Sequence, residues 1–177
     1  TNNRGHFWYW RINLIWIANQ FSIIICGRNK DKLDELSNKL SKKTNVKTLE
    51  FDVRDKEDVR EKISSLSDDW KNIDILINNA GNAHGLDFIH EGKISDWDMM
   101  IDTNVKGLLY VSKYVLDIMI ENNRGHIVNI GSIAGKEVYP KGNIYCASKF
   151  AVDAISNGMR IDSVSYTHLR AHETSLH

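Results

Sequence analysis

Ser22-Ile-Ile-Ile-Cys-Gly27 is a β-branched run closed by a glycine, the pattern of a short, fully buried strand. The next segment, Lys30 to Lys43, places leucines at 33, 36 and 40 with charges on the other face, the period of an amphipathic helix. Val46 to Phe51 then reads as a second strand. Further along, Asp55 to Leu66 is helical, with Val59, Ile63 and Leu66 on one side, and Ile73 to Ile77 is a strand interrupted only by Asp74. Ser95-Asp-Trp-Asp98 reads as a helix N-cap, its serine and acids meeting the first amide groups, and the helical pattern runs on towards Asn122. Gly125 to Ile130 is a strand and Asn143 to Ile161 a helix. Strands alternating with helices at this spacing predict an α/β fold, a doubly wound parallel sheet covered on both faces.

At 177 residues the chain suits one domain with a real core. Lys+Arg and Asp+Glu are both 23, which gives no electrostatic case for nucleic acid or an anionic membrane as partner. Cys26 and Cys146 lack C-x-x-C spacing and read as buried thiols of a reducing compartment, which makes the expected location cytoplasmic. The most apolar stretch, Phe7 to Ile25, is broken by Arg11, Asn13, Asn19 and Gln20, so no membrane span is expected. His168 and His172 have helical spacing but lack the H-E-x-x-H order, so no metal site is assigned.

The chemistry sits in Tyr145-x-x-x-Lys149, with Ser132 upstream inside Asn129-Ile-Gly-Ser-Ile-Ala-Gly135. Residues four apart share a helix face, one turn separated. A tyrosine phenol ordinarily loses its proton near ~10, too high for acid/base work at neutral pH, and a lysine ammonium beside it favours the phenolate. A serine hydroxyl from a strand end can hold a carbonyl or alcohol oxygen next to such a phenol. These parts suit proton transfer coupled to hydride transfer on a carbonyl. The spacing alone is common, and a helix face with a solvated lysine accounts for most of its occurrences.

Three further features narrow the reading. Asn78-Asn-Ala-Gly81 follows the strand ending at Ile77, Asn104 sits in Met100-Ile-Asp-Thr-Asn-Val-Lys-Gly107, and Asp52-Val53 closes the Val46 strand. In this order, from about Ser22 to Asp162, the chain resembles the short-chain dehydrogenase/reductase family.

The resemblance implies a Rossmann-like fold and a set of roles. Tyr145 is expected to be the general acid in reduction and the general base in oxidation. Lys149 is expected to promote the phenolate and to hydrogen-bond the nicotinamide ribose, and Ser132 to orient the substrate oxygen. Asn104 is expected to hold a water of the proton relay at a local break in its helix. Asn79, Ala80 and Gly81 would line the cofactor by backbone approach, and Asp52 and Val53 would meet the adenine ring. After the strand ending at Gly27 the chain carries Arg28 and no acid until Asp31. An acid there would bind a ribose 2′-hydroxyl, whereas an arginine accommodates a 2′-phosphate, so NADP is expected over NAD. Gly125 to Gly135 and Pro140 to Lys149 look most like NADP-dependent 3-hydroxy acid dehydrogenases, enzymes of small β-hydroxy acids. Such enzymes are usually tetramers built through the helices bearing Asn104 and Tyr145.

Both ends depart from this pattern. A domain of this type opens with a strand and a glycine-rich turn that brings backbone close to the pyrophosphate. Residues 1–21 contain neither. Read one base later, Trp8-Tyr9 must encode glycine and Trp10-Arg11 must encode glycine again, and permitted codons yield Ile-Thr-Gly-Ala-Thr-Ser-Gly-Ile-Gly-Glu. The expectation is a frameshifted segment over 1–21, a partial dinucleotide-binding domain over 22–162, and a non-native tail over 163–177. The first strand with its glycine-rich loop and the last strands are then missing, and the chain as written is expected to be inactive.

Three other readings are weighed at this stage. One is a non-catalytic dinucleotide-binding fragment or regulator, against which Asn104, Ser132, Tyr145 and Lys149 together argue. Another is an epimerase or dehydratase of nucleotide sugars that uses the same Tyr-x-x-x-Lys, against which Asn78-Asn-Ala-Gly81 and Gly131-Ser-Ile-Ala-Gly135 argue. The third is a peripheral membrane protein anchored through the tryptophan-rich first residues, which the frameshift reading disfavours.

Overall fold

The structure, a computed structural model, describes residues 18–163 and 169–174. It divides after Asp52 into two compact units.

The first unit is a β-α-β element. Strand β1 (Ile23–Gly27) pairs in parallel with β2 (Val46–Glu50), in register from Ile23↔Val46 to Gly27↔Glu50. Helix α1 (Lys30–Leu40) makes the crossover, and the Asn29 side chain starts it by accepting the Lys32 amide at 2.9 Å. Ala18, Ile23, Ile25, Leu33 and Leu40 form one buried cluster with Leu36 and Val46 packed against it. Strand alternation explains one departure from the sequence reading. Ile23 and Ile25 face the cluster, so Cys26 points the other way and is exposed, whereas Cys146 is buried as expected.

The second unit holds a three-stranded parallel sheet in the order β3 (Ile75–Asn78), β4 (Gly125–Ile130), β5 (Leu169–Thr174). Helix α2 (Lys56–Ser64) comes first, and Asp55 caps it by accepting the amides of Glu57 and Asp58 at 3.0 and 3.1 Å. Between β3 and β4 run α3 (Ile94–Ile101), a π-helical stretch (Asp102–Gly107) and α4 (Leu108–Glu121); α5 (Asn143–Asp162) precedes β5. Helix α4 packs on α2 and on β3 and β4, and α5 packs on β5. Among the described residues no helix is long and apolar enough to cross a membrane.

Three boundaries differ from the sequence reading. Helix α3 starts at Ile94, because the amides of Asp96 and Trp97 already bond the Lys93 carbonyl. Ser95 therefore lies inside the first turn and caps nothing. Strand β3 begins at Ile75, where its pairing with His126 begins, and not at Ile73. Part of the segment expected to be a tail outside the fold carries a strand: Leu169–Thr174 pairs residue for residue with Gly125–Ile130, and the Gly131 amide bonds the Thr174 carbonyl at 2.8 Å. The segment expected to be frameshifted lies outside the described residues up to Ile17.

Candidate active site

Every residue singled out from the sequence stands at the carboxyl end of a parallel strand or on the helical elements Asp102–Gly107 and α5. Arg28 follows β1 and Asp52 follows β2, while Asn79, Ala80 and Gly81 follow β3 and Ser132 follows β4. Carboxyl ends are where open parallel sheets place ligands, since the connections there leave backbone groups exposed. Asn79, Ala80 and Gly81 are indeed exposed.

In the second unit the catalytic candidates converge. Tyr145 and Lys149 lie one turn apart on α5, with the Lys149 Nζ 6.0 Å from the centre of the tyrosine ring. Lys149 is buried, 8% exposed, and its ammonium donates to the Ile130 carbonyl at 2.9 Å. That bond anchors the lysine at the end of β4, so its charge is held in place instead of ranging through solvent. Close packing supports the arrangement. A Cβ on Gly135 would lie 2.8 Å from the Lys149 carbonyl oxygen, so the short turn Ile133–Gly135 rests directly on the α5 backbone.

Asn104 is 1% exposed and sits in the π-helical stretch, the local helix break expected of it. A π-turn frees backbone groups from the regular ladder and recurs at functional sites. Its side chain uses both ends: Oδ1 accepts the Asn82 amide at 2.8 Å, and Nδ2 donates to the Asn82 carbonyl at 2.9 Å and to Ser148 Oγ at 3.0 Å. Ser148 in turn donates to the Tyr145 carbonyl at 2.7 Å. Asn104 thus ties the loop after β3 to the helix carrying the tyrosine. A Cβ on Gly81 would lie 3.4 Å from Asn104 Oδ1 and 3.7 Å from Lys149 Nζ, so loop, asparagine and lysine meet at one place.

Ser132 is engaged locally. Its hydroxyl accepts the Ala134 amide at 3.2 Å and starts the turn after β4; among the described residues no hydrogen bond joins it to Tyr145. Val53 packs against the end of the π-helical stretch, where a Cβ on Gly107 would come within 2.7 Å of its Cγ2. In the first unit, Arg28 pairs with Asp52 at 3.6 Å, so two of the cofactor candidates already touch.

A cavity opens beside Tyr145, lined also by His84, Asp87, Trp97 and Lys141. The neighbouring Tyr139 is a different kind of group. Burial first, then the proximity of Cys146 and Tyr145, holds its phenol above the usual range, so it stays a neutral hydroxyl at physiological pH.

Sequence reasoning did not find Asn82 and Ser148, the two partners of Asn104, or the buried polar set behind the site. Asn78 Nδ2 donates to Ser112 Oγ at 2.8 Å and to Asn129 Oδ1 at 2.9 Å, and Asn129 Nδ2 donates to Ser156 Oγ at 2.9 Å. Asparagines inside otherwise apolar strands were the available signal, since a buried amide demands partners.

The family model described as short chain dehydrogenase matches residues 14–171. The chain belongs to this family. It is 44% identical over 147 residues to the NADP-dependent 3-hydroxy acid dehydrogenase YdfG of Salmonella typhi, an alignment that covers 83% of this chain and 58% of that protein. It is 41% identical over 137 residues to an uncharacterized oxidoreductase of Staphylococcus aureus, covering 77% of this chain and 58% of the other. Among solved structures it superposes on serine dehydrogenase from Escherichia coli with a TM-score of 0.85 and 40% identity, over 93% of this chain and 74% of that one. The closed form of serine dehydrogenase complexed with NADP+ gives 0.84 and 39%, over 93% and 66%. The chain therefore spans well under two thirds of the length of the curated relatives it matches. Membership of the family makes the fold Rossmann-like.

Proposed function

We propose that the full-length gene product is an NADP-dependent dehydrogenase that transfers a hydride between nicotinamide and a small hydroxy or keto substrate, a 3-hydroxy acid in the favoured reading. The observation that carries the proposal is the Tyr145–Lys149 pair tied through Ser148 and Asn104 to the loop after β3. The likeness to 3-hydroxy acid dehydrogenases supports the substrate class.

The residues present suit a phosphorylated dinucleotide. Exposed backbone at Asn79, Ala80 and Gly81 allows close approach, with Gly81 free of a side chain beside the Lys149 ammonium. Arg28 would bind a 2′-phosphate, and Asp52 and Val53 would meet the adenine. When bound, the nicotinamide supplies or accepts the hydride. Tyr145 Oη then donates a proton to the carbonyl oxygen in reduction and removes one from the alcohol in oxidation. The Lys149 charge stabilises negative charge as it develops on that phenol oxygen. Ser132 holds the substrate oxygen, and Asn104 keeps the loop and α5 aligned while its π-turn holds the relay water. The same resemblance supports a homotetramer in a cytoplasmic setting, with Leu109, Ile120, Phe150 and Ile161 exposed on α4 and α5 as apolar surface for subunit contact. The frameshift reading of 1–21 belongs to the same proposal, because it supplies the phosphate-binding turn.

The cofactor assignment is testable by exchanging Arg28 for Asp. A charge-assisted contact is worth about 1.5–3 kcal/mol. NADPH affinity of Arg28→Asp, measured by fluorescence titration, is therefore expected to fall roughly ten- to a hundredfold, with NADH affinity kept or improved. Equal NADPH affinity in both proteins would remove Arg28 from the site. A non-catalytic regulator is the competing reading; it predicts cofactor binding with no turnover.

A further inference from the structure

Tyr145 shares its cavity with a lysine that the catalytic reading leaves unused. Lys141 lies in the turn leading into α5, four positions before Tyr145, and both residues line the cavity. Its φ is 65°, in the left-handed region that favours glycine. A side chain kept in such a conformation is held there by its surroundings and points to a functional constraint. The Lys141 ammonium stands 4.7 Å from the centre of the Phe88 ring, a cation–π contact that steadies the long side chain. Among the described residues Lys141 forms no ion pair.

The carboxylates of the cavity gather elsewhere. A Cβ on Gly85 would lie 3.0 Å from Asp87 Oδ2 and 3.5 Å from Asp96 Oδ2, so both acids crowd that glycine. They repel an anionic group from the Gly85 side and leave Lys141, in the turn before Tyr145, as its cationic partner; Lys93 also lines the cavity but lies three positions from Asp96 in the sequence. The start of α5 adds charge of the same sign as Lys141. Gly142 offers no side-chain cap, and Gly142, Asn143 and Ile144 line the cavity, so the positive end of the helix dipole faces it.

We propose that Lys141 binds the carboxylate of the substrate and is the residue that makes this site select hydroxy acids over neutral alcohols. The proposal rests on the dehydrogenase reading: the substrate hydroxyl lies at Tyr145 and the carboxylate at Lys141. The bland alternative is a solvated lysine stacked on Phe88, which would affect acids and esters alike.

The test uses the full-length gene product with 3-hydroxypropionate and its methyl ester, comparing wild type, Lys141→Met, Lys141→Arg and Lys93→Met. Lys141→Met is expected to lower kcat/KM for the acid roughly ten- to a hundredfold, mainly through KM, and to leave the ester nearly unchanged. Lys141→Arg recovers most of the loss, and Lys93→Met changes the acid far less. A second readout needs no turnover: calorimetric titration of 3-hydroxypropionate into the NADP+-loaded Tyr145→Phe protein, with and without Lys141→Met, shows the same loss of affinity. Equal effects on acid and ester, or none on either, overturn the role of Lys141 while the dehydrogenase reading stands. Binding that weakens with Lys141→Met in a protein that oxidises neither compound keeps the carboxylate site and overturns the dehydrogenase reading. Absence of both turnover and binding overturns both.

Discussion

Replacing Tyr145 by Phe is expected to lower kcat by about a hundred- to ten-thousandfold, the usual worth of a positioned acid/base group, while NADPH affinity stays close to that of the wild type. The substitution removes one oxygen and keeps the ring, so packing at the start of α5 is preserved. Lys149 keeps its anchor, because its bond to the Ile130 carbonyl does not involve the phenol. Ser148 also keeps its place, since it bonds the Tyr145 backbone and not the side chain. The loss should therefore fall on kcat, with KM and cofactor binding little changed. Steady-state kinetics and NADPH fluorescence on the same preparation check it. A variant that retains a tenth or more of the activity would mean that another group, such as the neutral Tyr139, carries the proton.

The second large effect is on stability. Asn129→Leu is expected to destabilise the protein by about 2–4 kcal/mol, because unpaired buried polar groups cost roughly 1–3 kcal/mol each. Asn129 is fully buried on β4 and bridges β3 to α5 through Asn78 and Ser156. Leucine is similar in size, so the change removes hydrogen bonds without emptying a cavity. Asn78 retains Ser112, and Ser156 retains the Val152 carbonyl, which sets an upper bound on the loss. In a chain of this size that corresponds to a melting temperature lower by roughly 5–15 °C. A melt within a degree or two of the wild type would show that the amide contributes nothing net. Because the same bridge aligns the strand ends that carry Asn79 and Ser132, activity should fall near the melt before global unfolding.

Much of this was legible in the residues. The β-α-β order, the parallel sheet and the bounds of β4 and α5 followed from hydrophobic period and length, since buried parallel strands read as short apolar runs. The Tyr145–Lys149 pair followed from helical spacing. Other parts had no local signature. The partners of Asn104 are the backbone of Asn82 and the hydroxyl of Ser148, contacts across twenty-two and forty-four residues that only the fold brings together. Nothing in the sequence marked Lys141, because neither its positive φ nor its cavity is written in composition. Ser95 had the chemistry of a cap but stands two residues past Lys93, the residue whose carbonyl opens the helix. Leu169–Thr174 shows the opposite case: a polar segment with no strand pattern whose backbone nevertheless pairs along β4.

The most direct test of the central claim is the rate of NADPH formation by the full-length gene product from NADP+ and a 3-hydroxy acid, run beside NAD+ and beside Tyr145→Phe. The site described here predicts hydroxy-acid-dependent NADPH formation that is faster than the NAD+ reaction and is lost with the tyrosine hydroxyl. Tight NADPH binding with no turnover on any hydroxy acid or alcohol would contradict it and leave a cofactor-binding protein without chemistry.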